Sequence, residues 1–142
     1  MHDGKDFALD PRLAGDTHFV GDLELSRVLL MDDTRFAWLI LVPRHANLRE
    51  LTDLDIATQQ RLLSEINRCA HAMQSLFTPD KLNIAALGNV VAQLHVHIIA
   101  RRTQDAAWPR PVWGFGERES YAPDARAALL DALRRALDIP TA

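Results

Sequence analysis

Short apolar runs and two stretches with helical spacing alternate along this chain. The runs are as short as strands, and turn-forming residues separate them. Asp32, Asp33 and Thr34 divide the first pair into a hairpin, and Gly88 and Asn89 predict a tight turn in the second. The pattern therefore predicts four strands, over residues 24–31, 36–42, 81–87 and 90–100.

Apolar residues recur at helical spacing after Asp55, a plausible N-cap, and the pattern stops near Pro79. The apolar side of this long helix is predicted to contain Ile56, Leu62, Leu63, Ile66, Ala70, Met73 and Phe77. A second helix is expected over residues 125–137, with Pro123 suited to its first turn. These elements predict an α+β fold, with an antiparallel sheet covered on one face.

Composition bounds the class of protein. A length of 142 residues with 48% hydrophobic content fits one globular domain over residues 1–142. The single cysteine, Cys69, excludes an internal disulfide and is expected to be a buried thiol. The first residues resemble no signal peptide, and no apolar run is long enough to span a bilayer. We therefore expect a soluble cytoplasmic protein with no membrane partner.

The net charge of −3 disfavours general affinity for polynucleotide backbones, which requires a basic face. A small phosphorylated ligand remains compatible with this charge, because one local site can hold an anion. The candidate chemistry lies in residues 88–101. On a strand, Gln93, His95 and His97 would share one face, while the apolar residues between them would face the core.

Two imidazoles so placed are roughly 7 Å apart. They disfavour each other's protonation, which keeps at least one neutral near pH 7. A neutral imidazole is a nucleophile or base and a protonated one binds anions, a combination that suits attack on a phosphate. In the simpler alternative, His95 and His97 are ordinary half-exposed strand residues.

A zinc enzyme is a further alternative, because His95 and His97 flank one residue and His45 could complete a ligand set. No carboxylate or cysteine is placed near them in sequence, so we expect neither metal nor cofactor. Two other features stay open. Trp108 and Trp113, in a Pro- and Gly-rich stretch, would form a ligand rim, a subunit contact or a rigid surface loop. Arg101 is expected to be a solvated residue at a strand end rather than a phosphate contact.

The run Gln93-Leu94-His95-Val96-His97-Ile98-Ile99 resembles the histidine-triad superfamily, whose motif alternates three histidines with apolar residues. Glutamine replaces the first histidine here. The resemblance extends to Leu41-Val42-Pro43-Arg44-His45 before the long helix, to Asn83 with Gly88-Asn89 before the triad, and to Trp108-Pro109 after it. It covers a core of about residues 7–110. Residues 111–142 are then a C-terminal extension that contains the second predicted helix.

This resemblance implies a sheet of about five antiparallel strands with one long and one C-terminal helix, and a homodimer joined through the long helix and adjacent strands. It also implies hydrolysis or transfer of nucleotidyl groups from nucleoside phosphates or dinucleoside polyphosphates. His95 would be the nucleophile, oriented by the backbone carbonyl of Gln93, and His97 would contact the phosphate. Substrate contacts would come from Asn83, Gly88, Asn89 and His45.

Glutamine at position 93 changes what the site can do. Its amide can donate and accept hydrogen bonds but cannot carry a positive charge or supply a proton. A lost electrostatic donor is typically worth ~3 kcal/mol, or ~100-fold in rate. A nucleotide-binding module without catalysis is therefore an alternative to an enzyme, and binding is the firmer expectation.

Overall fold

The computed structural model describes residues 6–140 and contains one five-stranded sheet in which all pairs are antiparallel. The strands are β1 (Thr17–Asp22), β2 (Ser26–Met31), β3 (Ala37–Pro43), β4 (Lys81–Ala85) and β5 (Val96–Arg101), in the order β1-β2-β3-β5-β4. The helices are α1 (Pro11–Asp16), α2 (Ile56–Phe77) and α3 (Pro123–Ala136), with a short 3-10 turn over Leu51–Asp53. This confirms the expected α+β fold, including the five strands and the long and C-terminal helices.

The two helices α2 and α3 pack on one side of the sheet, which we call the helix face and define by Leu39, Leu41, Ile98 and Ala100. Alternation along β3 and β5 points these side chains to the same side. They bury against Cys69 and Met73 of α2 and against Leu133 and Leu137 at the C-terminal end. This apolar cluster is the larger part of the core.

Helix α2 begins and ends where the sequence predicts. The Asp55 side chain accepts a hydrogen bond from the backbone N–H of Thr58 at 2.8 Å, and Thr78 closes the helix in a left-handed conformation. Cys69 is buried as expected, and burial raises the pKa of its thiol to about 12, so it stays protonated. The apolar stripe is narrower than predicted, because Ile56 is 67% and Leu63 57% exposed.

The prediction that only one face of the sheet is covered is wrong. The opposite side, which we call the loop face and define by Trp38, Ile40, His97 and Ile99, is buried as well. Its cover is irregular: residues 7–9 and Leu13 of α1 lie over it, together with the segment over residues 105–115. The Trp- and Pro-rich stretch covers this face through Val112, Trp113 and Phe115, while its other residues stay exposed, as the surface-loop interpretation expects.

The predicted strand over residues 90–100 is half right, because β5 begins only at Val96 and residues 86–95 form an irregular loop. The hydrophobic pattern predicted neither strand β1 nor helix α1. In β1, Thr17–Asp22 has few apolar residues, and a bulge between Phe19 and Gly21 interrupts its alternation. None of the helices within residues 6–140 is long and apolar enough to cross a lipid bilayer.

Candidate active site

The triad segment divides between two kinds of backbone. Gln93 and His95 lie in the loop that enters β5, whereas His97 is the second residue of that strand. All three are brought together at one end of the loop face. The two histidines are only 6% and 4% exposed, so the alternative of ordinary half-exposed strand residues is wrong. His97 packs against Trp38 and Trp113, and His95 packs against His97.

The ring of His95 is oriented by its own backbone. Its Nδ1 atom lies 2.6 Å from the carbonyl oxygen of Gln93, the contact that the family resemblance implies. A carbonyl oxygen can only accept a hydrogen bond, so Nδ1 must carry the proton. In the neutral ring, Nε2 then holds the free lone pair. The loop backbone thereby selects the tautomer in which Nε2 is the nucleophilic atom.

The ring of His97 is held in the opposite tautomer. The indole Nε1 of Trp38 donates a hydrogen bond to its Nδ1 at 2.9 Å, so Nδ1 must carry a lone pair. Burial, and secondly the charge of His95, lower the pKa of His97 from its ordinary value to about 4. The ring is therefore neutral at physiological pH, with its one proton on Nε2, where it is a hydrogen-bond donor.

The two rings form a close and asymmetric pair. Their centroids lie 4.9 Å apart, and their planes are inclined by 65°. Trp113, from the segment that covers the loop face, packs edge-on against His97 with ring centroids 5.1 Å apart. One imidazole thus offers a lone pair and its neighbour a hydrogen bond. This combination can attack an electrophilic phosphorus while stabilising one of its oxygens.

The side chain of Gln93 has a structural task. Its Oε1 accepts a hydrogen bond from the backbone N–H of Asp10, and its Nε2 donates to the carbonyl of Ala8, both at 2.9 Å. The amide therefore ties the N-terminal segment to the triad loop. These contacts use a donor and an acceptor together, which a neutral amide supplies without any change of protonation.

Asn83 lies on β4 on the same face as His97, because its partner in the ladder is Ile99. Its Oδ1 accepts a hydrogen bond from Arg101 at 2.8 Å. Arg101 is 2% exposed, so the expectation that it is solvated is wrong. Its guanidinium also pairs with both carboxylate oxygens of Asp105 and donates to the carbonyl of Arg110.

This buried network holds the segment that carries Trp113. Burial alone would raise the pKa of Asp105, but hydrogen bonds from Arg101 and from the backbone of Arg102 and Ala107 hold it below its usual range. Asp105 also accepts from the backbone N–H of Trp108, the residue of the expected Trp-Pro element. Arg101 is therefore a scaffold residue behind the site.

The remaining predicted site residues lie around the triad loop. Gly88 adopts φ +79°, a left-handed conformation that favours glycine, at the start of the loop that leads to His95. Asn89 follows it and is exposed. His45 is half-buried after β3.

The zinc alternative receives no support from the geometry. Within residues 6–140, no group of three or more His, Cys, Asp or Glu side chains is arranged to hold a metal ion. His95 and His97 also direct their Nδ1 atoms at a carbonyl and an indole.

Sequence reasoning missed Trp38 and Asp105, and it did not connect Trp113 with His97. Trp38 is hidden in an apolar run, where only its alternation with Leu39 marks it as facing the histidines. Trp113 was noted as a rim residue, but its contact with His97 depends on how the covering segment folds. Asp105 gave no signal apart from its i,i+4 spacing to Arg101.

The chain is similar in sequence and fold to known proteins of one family. A model of the HIT domain matches residues 12–104. The crystal structure of a histidine triad protein from Bradyrhizobium japonicum is 50% identical, with a TM-score of 0.90 over 92% of this chain and 98% of that one. A histidine triad protein from Marinobacter aquaeolei VT8 is 45% identical, with a TM-score of 0.90 over 93% and 96%. One from Sinorhizobium meliloti 1021 is 41% identical, with a TM-score of 0.91 over 94% and 98%.

No significant match was found among curated proteins. Members of the HIT family generally bind nucleotides and hydrolyse or transfer nucleotidyl groups. The family model spans most of the chain, and the three structures share its fold at 41% to 50% identity. This chain therefore belongs to the histidine-triad (HIT) family.

Proposed function

We propose that this protein cleaves nucleoside phosphates or dinucleoside polyphosphates through a nucleotidyl-histidine intermediate on His95. The observation that carries the proposal is the opposed protonation of two adjacent rings. The carbonyl of Gln93 leaves a lone pair on Nε2 of His95, and Trp38 leaves a proton on Nε2 of His97. A phosphoryl group between them would meet a nucleophile and a donor at once.

In the first step, Nε2 of His95 attacks the α-phosphorus. The Nε2–P bond forms, and the bond from phosphorus to the leaving oxygen breaks with its electron pair going to the leaving group. The ring becomes cationic, and the charge is shared with the Nδ1–H that donates to the Gln93 carbonyl. His97 donates from Nε2 to a non-bridging phosphate oxygen.

In the second step, water or another acceptor hydroxyl attacks the same phosphorus. The P–Nε2 bond breaks, the nitrogen recovers its lone pair, and the acceptor's proton leaves to solvent. With water as acceptor, the product is a nucleoside monophosphate. Gly88 and Asn89, in the loop that enters the site, together with Asn83 and His45, are the proposed contacts for the remaining phosphate and sugar groups.

Turnover of adenosine phosphoramidate and of a diadenosine polyphosphate tests this proposal. We expect His95→Ala to lower kcat by at least about 10³-fold, because no other group can form the intermediate. His71→Ala, on the exposed side of α2, is the matched control and should retain wild-type kcat. Quenching with alkaline denaturant after mixing with α-labelled substrate should trap the label on His95. Turnover that survives His95→Ala would refute the mechanism.

Binding without turnover is the alternative outcome, motivated by Gln93. Its amide is already engaged with Ala8 and Asp10, so it supplies neither charge nor proton to a leaving group. Calorimetric binding of a nucleoside monophosphate by a wild-type protein with no turnover would establish a binding module in place of an enzyme.

We also propose that the partner of this chain is a second copy. Strand β4 is at the edge of the sheet, and an apolar groove of about 410 Å³ lies between it and the first half of α2. Ile56, Leu63 and Ile84 line it and are exposed. An apolar patch beside an edge strand is typical of a protein interface, and the resemblance to the family implies a dimer at the same elements.

Light scattering after gel filtration measures the oligomeric state. The wild type should be a dimer of about twice 16.0 kDa. Ile84→Glu should shift it to monomer, because a charge cannot be buried there without a partner. Val90→Glu, on the exposed triad loop outside the groove, is the control and should stay dimeric. A monomeric wild type at high concentration would contradict this proposal.

A further inference from the structure

Two tryptophans pack against the ring of His97, and only one of them hydrogen-bonds to it. Trp38 contacts the ring from the neighbouring strand, with centroids 5.7 Å apart, and donates its indole N–H to Nδ1. Trp113 contacts the ring at 5.1 Å, but its Nε1 has no hydrogen-bond partner among residues 6–140. Substituting each tryptophan in turn therefore distinguishes the effect of packing from the effect of hydrogen bonding at the His97 ring.

The position of Trp38 follows from the register of the sheet. Trp38 is paired with Ile99, and His97 with Ile40, so the two side chains are diagonal neighbours on the loop face. Both are buried. Leaving a buried indole N–H without an acceptor costs free energy, and Nδ1 of His97 supplies the acceptor for Trp38.

A neutral imidazole can carry its proton on either nitrogen. An indole nitrogen can only donate, so contact with Trp38 excludes a proton on Nδ1 and leaves it on Nε2. In the other tautomer, Nε2 of His97 would present a lone pair to the phosphate oxygens and repel them. The choice of tautomer therefore decides whether His97 stabilises or opposes the anion.

We propose that Trp38 is a positioning residue that sets the tautomer of His97, so that a neutral Nε2–H faces the phosphoryl group. This inference rests on the proposed function for its effect on rate, but the tautomer itself is a property of the free protein. Trp38 acts through His97 and does not touch the substrate.

Nitrogen-15 NMR of the histidine rings tests the tautomer directly, with resonances assigned from His95→Ala and His97→Gln. In the wild type at neutral pH, His97 should show an unprotonated Nδ1 and a protonated Nε2. In Trp38→Phe, which keeps an aromatic ring but removes the donor, both nitrogens should move toward the averaged shifts of exchanging tautomers. Trp113→Phe is the matched control and should leave the shifts of His97 unchanged.

Kinetics then tests the consequence. We expect Trp38→Phe to lower kcat by about tenfold with little change in KM, because one neutral hydrogen bond typically contributes up to about that factor. His95→Ala in the same assay reports separately on the proposed function. If that variant retains turnover, the mechanism fails while the tautomer measurement still stands.

Three results would overturn the inference. One is a wild-type His97 with its proton on Nδ1. Another is a Trp38→Phe protein with wild-type ring shifts or wild-type kcat. If Trp38→Phe does not fold, His97→Phe replaces it: removing the acceptor should shift the indole N–H resonance of Trp38 and speed its exchange, and an unchanged indole resonance would also refute the proposal.

Discussion

The two faces of the sheet are both buried, but they are buried by different means. On the helix face, Leu39 and Ile98 pack with residues of α2 and α3 in an apolar cluster, and Glu65 of α2 is buried beside Ser26. On the loop face, Trp38 and Ile99 lie beside buried polar groups, including His97 and Arg101, under irregular segments. The same strands supply both faces, since alternate residues point in opposite directions.

This difference is the physical reason why the proposed chemistry lies on the loop face. A regular helix can bury apolar side chains but offers few free backbone groups, because its own ladder uses them. Irregular segments present carbonyls and amides, such as the Gln93 carbonyl at His95 and the Arg110 carbonyl at Arg101. Buried polar side chains can therefore form their hydrogen bonds on the loop face. Those hydrogen bonds decide which nitrogen of each of the two histidines is protonated. We expect substitutions on the two faces to destabilise the protein for different physical reasons.

The largest loss of stability is expected on the helix face. Leu39→Ala should lower the free energy of unfolding by about 4 kcal/mol, because Leu39 is fully buried and its removal leaves a cavity. Leu76→Ala, on a partly exposed position of α2, should lower it by less than about 1 kcal/mol. Urea unfolding measures both. The folded Leu39→Ala protein should keep wild-type kcat. A strong loss of kcat would indicate that the helix face, and not only the loop face, takes part in catalysis.

On the loop face, the expected loss comes from an unpaired charge. Asp105→Asn should destabilise by about 3 kcal/mol, because it leaves the buried guanidinium of Arg101 without its counter-ion. Asp22→Asn makes the same chemical change in an ion pair with Arg27 that is 30% exposed on both sides, and should change stability by less than about 1 kcal/mol. Equal effects in urea unfolding would remove the distinction between these pairs.

The pH dependence of stability should also come from the loop face. Burial, and then His95, lower the pKa of His97 to about 4, so between that value and 6.5 the unfolded chain binds more protons at this residue. The free energy of unfolding should therefore rise with pH across this window, by up to roughly 1.4 kcal/mol per unit, and level off above it. Urea unfolding from pH 4 to 8 should show this slope in the wild type and in His71→Gln, but reduced in His97→Gln. An unchanged slope in His97→Gln would refute the assignment.

The smallest effect is expected at the margin of the loop face. Gln93→Ala removes two hydrogen bonds to Ala8 and Asp10 at a half-exposed position, and should lower stability by about 1 kcal/mol. Amide exchange at Asp10 should accelerate, while amides of α2 should keep their protection. If Asp10 exchanges at the wild-type rate, the N-terminal segment does not depend on this side chain.

Helix α2 and strand β5 show most clearly which features the sequence could predict and which it could not. Helix α2 was predicted from Asp55 to Phe77, because its cap and its periodicity are local features. Strand β5 was predicted to begin at residue 90, six residues before its observed start at Val96. The reason is that the alternation of apolar residues continues through 90–95, although the ladder does not. Local pattern reports which residues are apolar, whereas pairing depends on a partner strand, and β4 ends at Ala85 opposite His97.

From the sequence alone came the α+β class, the long helix, the buried thiol of Cys69 and the choice of Gln93, His95 and His97 as the chemical centre. These depend on composition, short-range periodicity and motif spacing. Tertiary structure alone decided which nitrogen of each ring carries the proton. That choice is made by Trp38, 59 positions away from His97 in the chain, and by a carbonyl whose direction depends on the loop. Hydrogen bonds across such separations are set by sheet register and by the covering segments, which residue type and spacing do not encode locally.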